Sequence, residues 1–338
     1  MQHMKIGNSG IEASRISLGG LSMGGGAWWN GTDDAESIRT IHYALDNGIN
    51  LIDTAPLYGF GHSEEIIGKA LADRRDKAVI STKFGMIWDK QEGTYWSDKG
   101  GESIYINVSA QVIREEILRS LKRLNTDYID IYYPHNPARA PFLTPVEETV
   151  EAMMRLKKEG HIRAIGMSNA SPSHVEEYLA CGCEIDILQR KYNVLERAFV
   201  ETNLLPICRK YGMSFHAYSP LERGILTGKY RKDYQVDPLD ARTKLLWWKP
   251  ENYPLAIDFV DGLEDLCQKN RCTLTDLAVA FLLAQGDYIN VICGAHKPEQ
   301  IEADIRAASV TLSEADVLEI RRRVEELEKQ MRANSSVQ

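Results

Sequence analysis

The sequence predicts an α/β protein, a single closed (β/α)8 (TIM) barrel with long loops on one rim. Two observations carry this. Short β-rich runs alternate with longer amphipathic runs eight times along 338 residues, and strands separated by helices favour a parallel sheet that eight units can close. Most of the runs also end on polar residues that apolar packing would not select, and in such a barrel these ends converge on one rim, where active sites are built. The alternation alone leaves an open, doubly wound sheet as the alternative. One barrel of this kind accounts for the length, so residues 1–338 are read as one domain.

After a short opening stretch, Ile16–Leu18 is the first strand. Asp33 or Asp34 caps a helix reaching about Asn47, because a short side-chain oxygen accepts from the free amides of the first turn. INLIDT is the next strand and SEEIIGKALAD its helix. AVISTK precedes a long helix over Ser109–Leu124, and YIDIYY precedes VEETVEAMMRLKKEG, with Gly160 as C-cap. In the second half IRAIGMS leads to a helix near Ser173–Ala180, and IDILQ to one near Val200–Tyr211. MSFHAYS is followed, after a long loop, by helices over about Asp258–Lys269 and Thr273–Gln285. INVIC and a helix from Pro298 close the series, and the tail after about Lys329 reads as frayed.

Two segments break the rhythm: Met86–Val108, with Trp88, Tyr95, Trp96 and Tyr105, and Glu222–Leu255, with Trp247, Trp248 and Tyr253. Loops this long in a compact domain are usually functional or disordered, and their aromatic content argues against disorder. Trp28 and Trp29 sit in the first strand-to-helix connection, beside Gly24–Gly26.

Composition narrows the function. A formal net charge of −8 with no basic stripe argues against a nucleic-acid partner, whose phosphates call for clustered Lys and Arg. No apolar run approaches the ~20 residues that span a bilayer, and MQHMKIGNSG lacks a long apolar signal region, so the expectation is a cytoplasmic protein with no membrane partner. The six cysteines form no C-x-x-C pair and read as reduced thiols. The eight histidines include no H-x-H or H-E-x-x-H, and no Cys/His cluster has zinc spacing, so no metal is expected. No G-x-G-x-x-G follows the first strand, which leaves an ordinary Rossmann site unsupported.

The polar strand ends are Asp53, Lys83, His135, Ser168–Asn169, Gln189 and Tyr218–Ser219. Each alone admits a bland role: Asp53 could cap a turn, His135 could lie on a surface loop, and Tyr58 could pack in its loop. Lys83 is harder to explain so, because lysine is rarely buried without a partner. Asp53 would supply one, either as a structural ion pair or as part of a site.

LIDTAPLYGFGHSEEIIGKAL resembles the signature segment of the aldo-keto reductase family, with Asp, then Tyr five residues on, then Gly and Glu. The resemblance continues through STK, the histidine after the fourth strand, GMSN, Gln189, YSPLERGILTGKY and GAHKPEQIEAD, in order along nearly the whole chain. Within the family it is most similar to bacterial members that reduce methylglyoxal, related small aldehydes or aldoses. The resemblance implies a (β/α)8 barrel binding NAD(P)H in extended form, and a catalytic group of Asp53, Tyr58, Lys83 and His135. The chemistry agrees. A carbonyl accepting hydride needs a proton on its oxygen. Tyrosine, with a pKa of ~10, holds one at neutral pH, and a Lys83 ammonium beside Tyr58 should lower that pKa. His135 would position the carbonyl by a hydrogen bond.

By the same resemblance, Tyr218 stacks on the nicotinamide, and Ser168, Asn169 and Gln189 bond its carboxamide. Ser219, Pro220, Leu221 and Gly224 lie along the pyrophosphate, and Gly294, His296, Gln300 and Asp304 surround the adenosine end. Many relatives have proline where Cys293 stands, Arg or Gln near Gln300, and Asn where Asp304 stands. A 2′-phosphate prefers a guanidinium, so NADPH is expected from family habit, with NADH possible. Candidates for the substrate wall are Trp28, Trp29, Trp88, Tyr105, Asn136 and Trp247. A small carbonyl compound is the expected partner. The alternatives are a cofactor-binding regulatory subunit with little turnover, since some relatives serve channels, and a barrel hydrolase or isomerase, which the lack of metal ligands disfavours.

Overall fold

The structure, a computed structural model, describes residues 1–29, 31–237 and 240–335. Eight parallel strands close in chain order: β3 (Ile16–Gly19), β4 (Leu51–Asp53), β5 (Val79–Phe84), β9 (Ile129–Pro134), β10 (Ile162–Ser168), β11 (Ile185–Lys191), β12 (Ser214–Tyr218) and β13 (Ile289–Gly294), with β13 pairing back onto β3. The register sets Gly19 beside Asp53, Asp53 beside Ser81, and Ser168 beside Gln189. Because side chains alternate along a strand, each strand presents one set to the barrel interior and another to the helices. Thus Ile52 and Ile80 pack in the large outer core, while Leu51 and Val79 fill the interior.

Helices α1 (Asp34–Asp46), α2 (His62–Ala70), α3 (Ala110–Leu124), α4 (Val146–Lys158), α5 (Pro172–Ala180) and α6 (Leu205–Tyr211) cover the first six barrel strands. α7 (Tyr253–Asp261), α8 (Glu264–Asn270), α9 (Leu274–Leu283), α10 (Pro298–Ser309) and α11 (Glu314–Ser335) complete the shell. Asp33 caps α1 by accepting from the amide of Glu36. None of the helices among the described residues is long and apolar enough to cross a membrane.

Five local expectations change. The opening stretch is an antiparallel hairpin, β1 (His3–Ile6) and β2 (Ile11–Ser14), whose Met4, Ile6, Ile11 and Ala13 seal one end of the barrel. The segment 86–108 forms a three-stranded antiparallel sheet of β6 (Met86–Ile87), β8 (Glu102–Ile106) and β7 (Thr94–Lys99). Its hairpin turns on Gly100 and Gly101, both at positive φ, the geometry that matches strand twist in a two-residue loop.

The single helix expected over 258–269 is α7 and α8, broken at Gly262, whose carbonyl accepts from Arg323 instead. Val200–Leu204 is π-helical ahead of Pro206, which has no N–H to continue the ladder. The tail expected to fray continues helically to Ser335, with Met331 packed against the core; residues 336–338 lie outside the described residues.

Candidate active site

Asp53 ends β4, Lys83 lies near the end of β5, and His135 follows β9. Both oxygens of Asp53 are engaged. Lys83 Nζ donates to Oδ2 at 2.8 Å, while Ser81 Oγ and Gln189 Nε2 donate to Oδ1 at 2.7 and 2.8 Å. Lys83 also donates to the carbonyl of Thr54 at 2.9 Å and is 1% exposed. Burial pushes its pKa down, but Asp53 and then Tyr58 outweigh that, and the net shift is upward. Lys83 is an ammonium at neutral pH.

Tyr58 is carried on the connection between β4 and α2, half-buried, with Lys83 Nζ 5.3 Å from its ring centre and the His135 ring edge-on at 6.0 Å. A close backbone crossing places it there. Gly59 has φ 65°, and a Cβ on it would meet the Gly24 carbonyl oxygen at 2.1 Å, so only glycine fits. Thr54 Oγ1 and Ser63 Oγ, 2.8 Å apart, and Ser63 Oγ donating to the Gly20 carbonyl, fasten the two ends of the same connection.

The charge of Lys83 acts to lower the Tyr58 pKa, as expected, but it does not decide the net shift. Burial is the largest influence and raises it, and the opposing charge of Lys83 recovers only part. Tyr58 therefore keeps its proton through the neutral range. His135 goes the other way: burial and then Lys83 hold it well below its ordinary value, so it is neutral.

The next group is cross-bonded. Asn169, left-handed at φ 57°, donates to the carbonyl of His135 at 2.9 Å and accepts from Tyr218 Oη at 2.7 Å. Ser168 Oγ reaches Gln189 Oε1 at 3.5 Å. Beyond Tyr218, Ser219, Glu222, Arg223 and Gly224 all take positive φ. Such backbone persists where its surroundings determine it. Here the buried Glu222 carboxylate accepts from Lys191 and Asn193 at 2.8 and 2.7 Å, and Asn193 donates to the Ser219 carbonyl at 3.1 Å. Pro220 is buried and Leu221 packs against the core.

The residues expected at the adenosine end divide. Gly294 is exposed at the end of β13, with open space where a Cβ would point, and Gln300 Oε1 accepts from the amides of His296 and Lys297 at 2.8 and 3.2 Å. Asp304 turns inward. It is 6% exposed and paired with the Cys293 thiol, and burial raises its pKa to about 7.

The six wall candidates also divide. Trp28 lies 6.3 Å from Tyr58 and 5.7 Å from Phe60, and Phe60 lies 5.1 Å from Trp88. Asn136 donates to Met86 Sδ beneath them. Trp29 instead sits 6.0 Å from His296, and Tyr105 faces Tyr95 on the hairpin sheet. Trp247, 1% exposed, is part of the outer core and walls nothing, because the long loop folds back on the helices. Sequence reasoning missed Ser81 and Phe60. Both were accessible signals, being two residues from Lys83 and from Tyr58. No group of three or more His, Cys, Asp or Glu is placed to hold a metal among the described residues.

A parallel eight-stranded barrel with this constellation on one rim, and a match of residues 15–325 to the aldo/keto reductase family, define the class: the chain belongs to that family of oxidoreductases. In particular it is 44% identical to the NADH-specific methylglyoxal reductase of Escherichia coli (strain K12), over 97% of this chain and all of that protein. The solved glycerol dehydrogenase of Gluconobacter oxydans superposes with a TM-score of 0.85 at 33% identity, covering 97% of this chain and 95% of that one. A probable voltage-gated potassium channel subunit beta of Arabidopsis thaliana is 34% identical over 92% of each chain.

Proposed function

We propose that this protein reduces the carbonyl of small aldehydes or ketones to the alcohol, with Tyr58 as the proton donor. The observation that carries the reading is the buried Asp53–Lys83 pair set directly behind Tyr58. The residues fit a nicotinamide dinucleotide. Ser168, Asn169 and Gln189 offer donors and acceptors to a carboxamide, Tyr218 offers an aromatic face, and Gly224, at positive φ, permits close backbone approach along a pyrophosphate. When bound, that group supplies the hydride.

The protein's own residues do the rest. Neutral His135 donates to the carbonyl oxygen and aims it at Tyr58 Oη. As charge develops on that oxygen, Tyr58 gives up its proton, and the Lys83 ammonium stabilises the phenolate left behind. Asp53, held by Ser81 and Gln189 as well as Lys83, keeps the ammonium in place. Since Tyr58 is shifted upward, kcat/KM should stay level through neutral pH and fall only on the alkaline side of the ordinary tyrosine range. General acid help of this kind contributes ~10²–10⁴-fold.

NADH is proposed ahead of NADPH, reversing the expectation from family habit. His296 is held below its ordinary pKa by burial and by Lys297, so it is neutral and a weak partner for a 2′-phosphate. With Gln300 Oε1 accepting from two backbone amides, its side chain offers only a neutral amide donor, and none of the residues proposed for the adenosine end is an arginine. The E. coli relative described as NADH-specific points the same way.

The test is Tyr58→Phe, assayed on methylglyoxal, with NADH and NADPH dissociation constants measured by fluorescence. The expected result is intact cofactor binding with most reduction lost; equal turnover by the two proteins would sink the role given to Tyr58. Absence of turnover by the wild type across a panel of aldehydes and sugars would favour a regulatory subunit, as in the Arabidopsis relative.

A further inference from the structure

All six cysteines are free thiols, but one helix ending brings two of them face to face. α8 closes on Arg271 at φ 53°, the left-handed position of a Schellman turn. The amide of Arg271 donates to the Gln268 carbonyl at 3.2 Å, and the amide of Cys272 donates to the Cys267 carbonyl at 3.0 Å. With ordinary backbone dimensions, that second bond holds the Cα atoms of Cys267 and Cys272 within about 7 Å of each other. This is the span beyond which a disulfide cannot close without backbone movement. The motif also sets the side chains of these two positions in contact, and here the Cys267 thiol donates to the Cys272 sulfur.

The pair is reachable from one side. Cys267 is buried and Cys272 half-buried, and both line a surface cleft of about 600 Å³ with Arg271, Asp276 and Arg306. Asp276 is engaged there, accepting from Arg306 Nε and the Thr273 amide at 3.1 and 2.9 Å. Other thiols are committed elsewhere: Cys208 Sγ donates to the Ser214 carbonyl at 3.9 Å, and Cys293 pairs with Asp304. Burial and then the facing Cys272 push the Cys267 pKa up to about 12. Burial and then Asp276 raise that of Cys272, while the hydrogen bond from Cys267 works against them. Cys272 is therefore the more open thiol and the one suited to react first.

We infer that Cys267 and Cys272 form an oxidation site, a dithiol that a hydroperoxide converts to an intrachain disulfide. The Cys272 thiolate attacks a peroxide oxygen, the O–O bond breaks, and water leaves a sulfenic acid on Cys272. The Cys267 sulfur then attacks Cys272 Sγ, the S–O bond breaks, and a second water departs with the Cys267 proton. Two thiols are oxidised and one hydrogen peroxide is reduced, giving one disulfide and two waters. The new bond ties the last turn of α8 to the residue preceding Thr273, the N-cap of α9. None of this depends on the role given to Tyr58.

The experiment treats the folded full-length protein with hydrogen peroxide, blocks the remaining thiols, and digests with trypsin for mass spectrometry. Lys269 and Arg271 lie between the two cysteines, so trypsin cuts between them and only a disulfide keeps their peptides together. The expected result is a linked pair of these peptides that a reductant separates, with both thiols lost from a thiol titration. Because the thiolate is the attacking species, the rate should rise about tenfold per pH unit on the alkaline side of neutrality. Cys267→Ser should stop at a Cys272 sulfenic acid that dimedone traps, and Cys272→Ser should leave Cys267 as a thiol. The wild type decides the matter even if neither variant folds, with the half-buried Cys181 as internal standard. Oxidation of Cys181 while Cys267 and Cys272 stay unlinked overturns the inference, as does a disulfide from either of them to a different cysteine.

Discussion

At one end of the barrel Leu51, Val79, Ile131 and Ile187 meet the hairpin residues Met4, Ile6, Ile11 and Ala13 in a dry cluster. Two residues further along the same strands, on the same inward face, stand Asp53, Ser81, Tyr133 and Gln189, and Lys83 follows on β5. One pleat repeat, about 7 Å of strand, separates an apolar plug from a charged site. Each barrel strand thus anchors at one end what it offers to chemistry at the other. Within that second layer, Tyr133 Oη and His216 Nδ1 lie 3.2 Å apart, both fully buried, and the ring of Tyr133 fills the space that a Cβ on Gly166 would need.

The sharpest test of this division is at the charged end. Lys83→Met leaves Asp53 buried without its cation, which should cost about 3–5 kcal/mol of stability and reduce kcat/KM for a small aldehyde ~10²–10⁴-fold; denaturant unfolding and steady-state rates read the two losses. At the plug, Ile131→Ala should cost a similar ~2–5 kcal/mol yet leave the folded protein's kcat/KM within about threefold of wild type. A large kinetic loss there would show that the two ends are coupled.

A smaller effect tests the buried histidine of the second layer. His216 has its pKa lowered to about 4 by burial. The unfolded chain therefore takes up a proton as pH falls through about 6.5, while the folded protein does not until near pH 4. Stability is lost across that window, by about 2 kcal/mol between pH 7 and pH 5. His135, also shifted downward, acts in the same direction. Urea midpoints should show the fall, and His216→Gln should remove one share of it. The smallest effect expected is from Ser81→Ala. It deletes one of two donors to Asp53 Oδ1 and should cost about 1 kcal/mol, with reduction slowed only a few-fold, because Gln189 still holds that oxygen.

Part of the site was legible from the chain alone, and the family segment shows how far that goes. Its Asp53 and Tyr58 come to the rim. Its Glu64 does not: fully buried, it accepts from Thr82 Oγ1 and Arg123 Nε at 2.7 and 2.6 Å and ties α2 to β5 and α3. A motif records residues that must be together, without saying which do chemistry and which hold the frame. The N-terminal hairpin went unread because each of its strands is only four residues long, too short to establish a period.

The sequence by itself determined the alternation of strand and helix, the barrel that eight such units close, and the run of polar strand ends that gather on one rim. These follow from side-chain periodicity, which is local. Only the tertiary structure decided that Tyr58 is held protonated rather than made more acidic, that Asp304 faces Cys293, that Trp247 belongs to the core, and that Gln189 reaches Asp53 across 136 positions of chain. Each of those outcomes depends on burial and on distances between residues remote in sequence, and neither quantity exists until the barrel has closed.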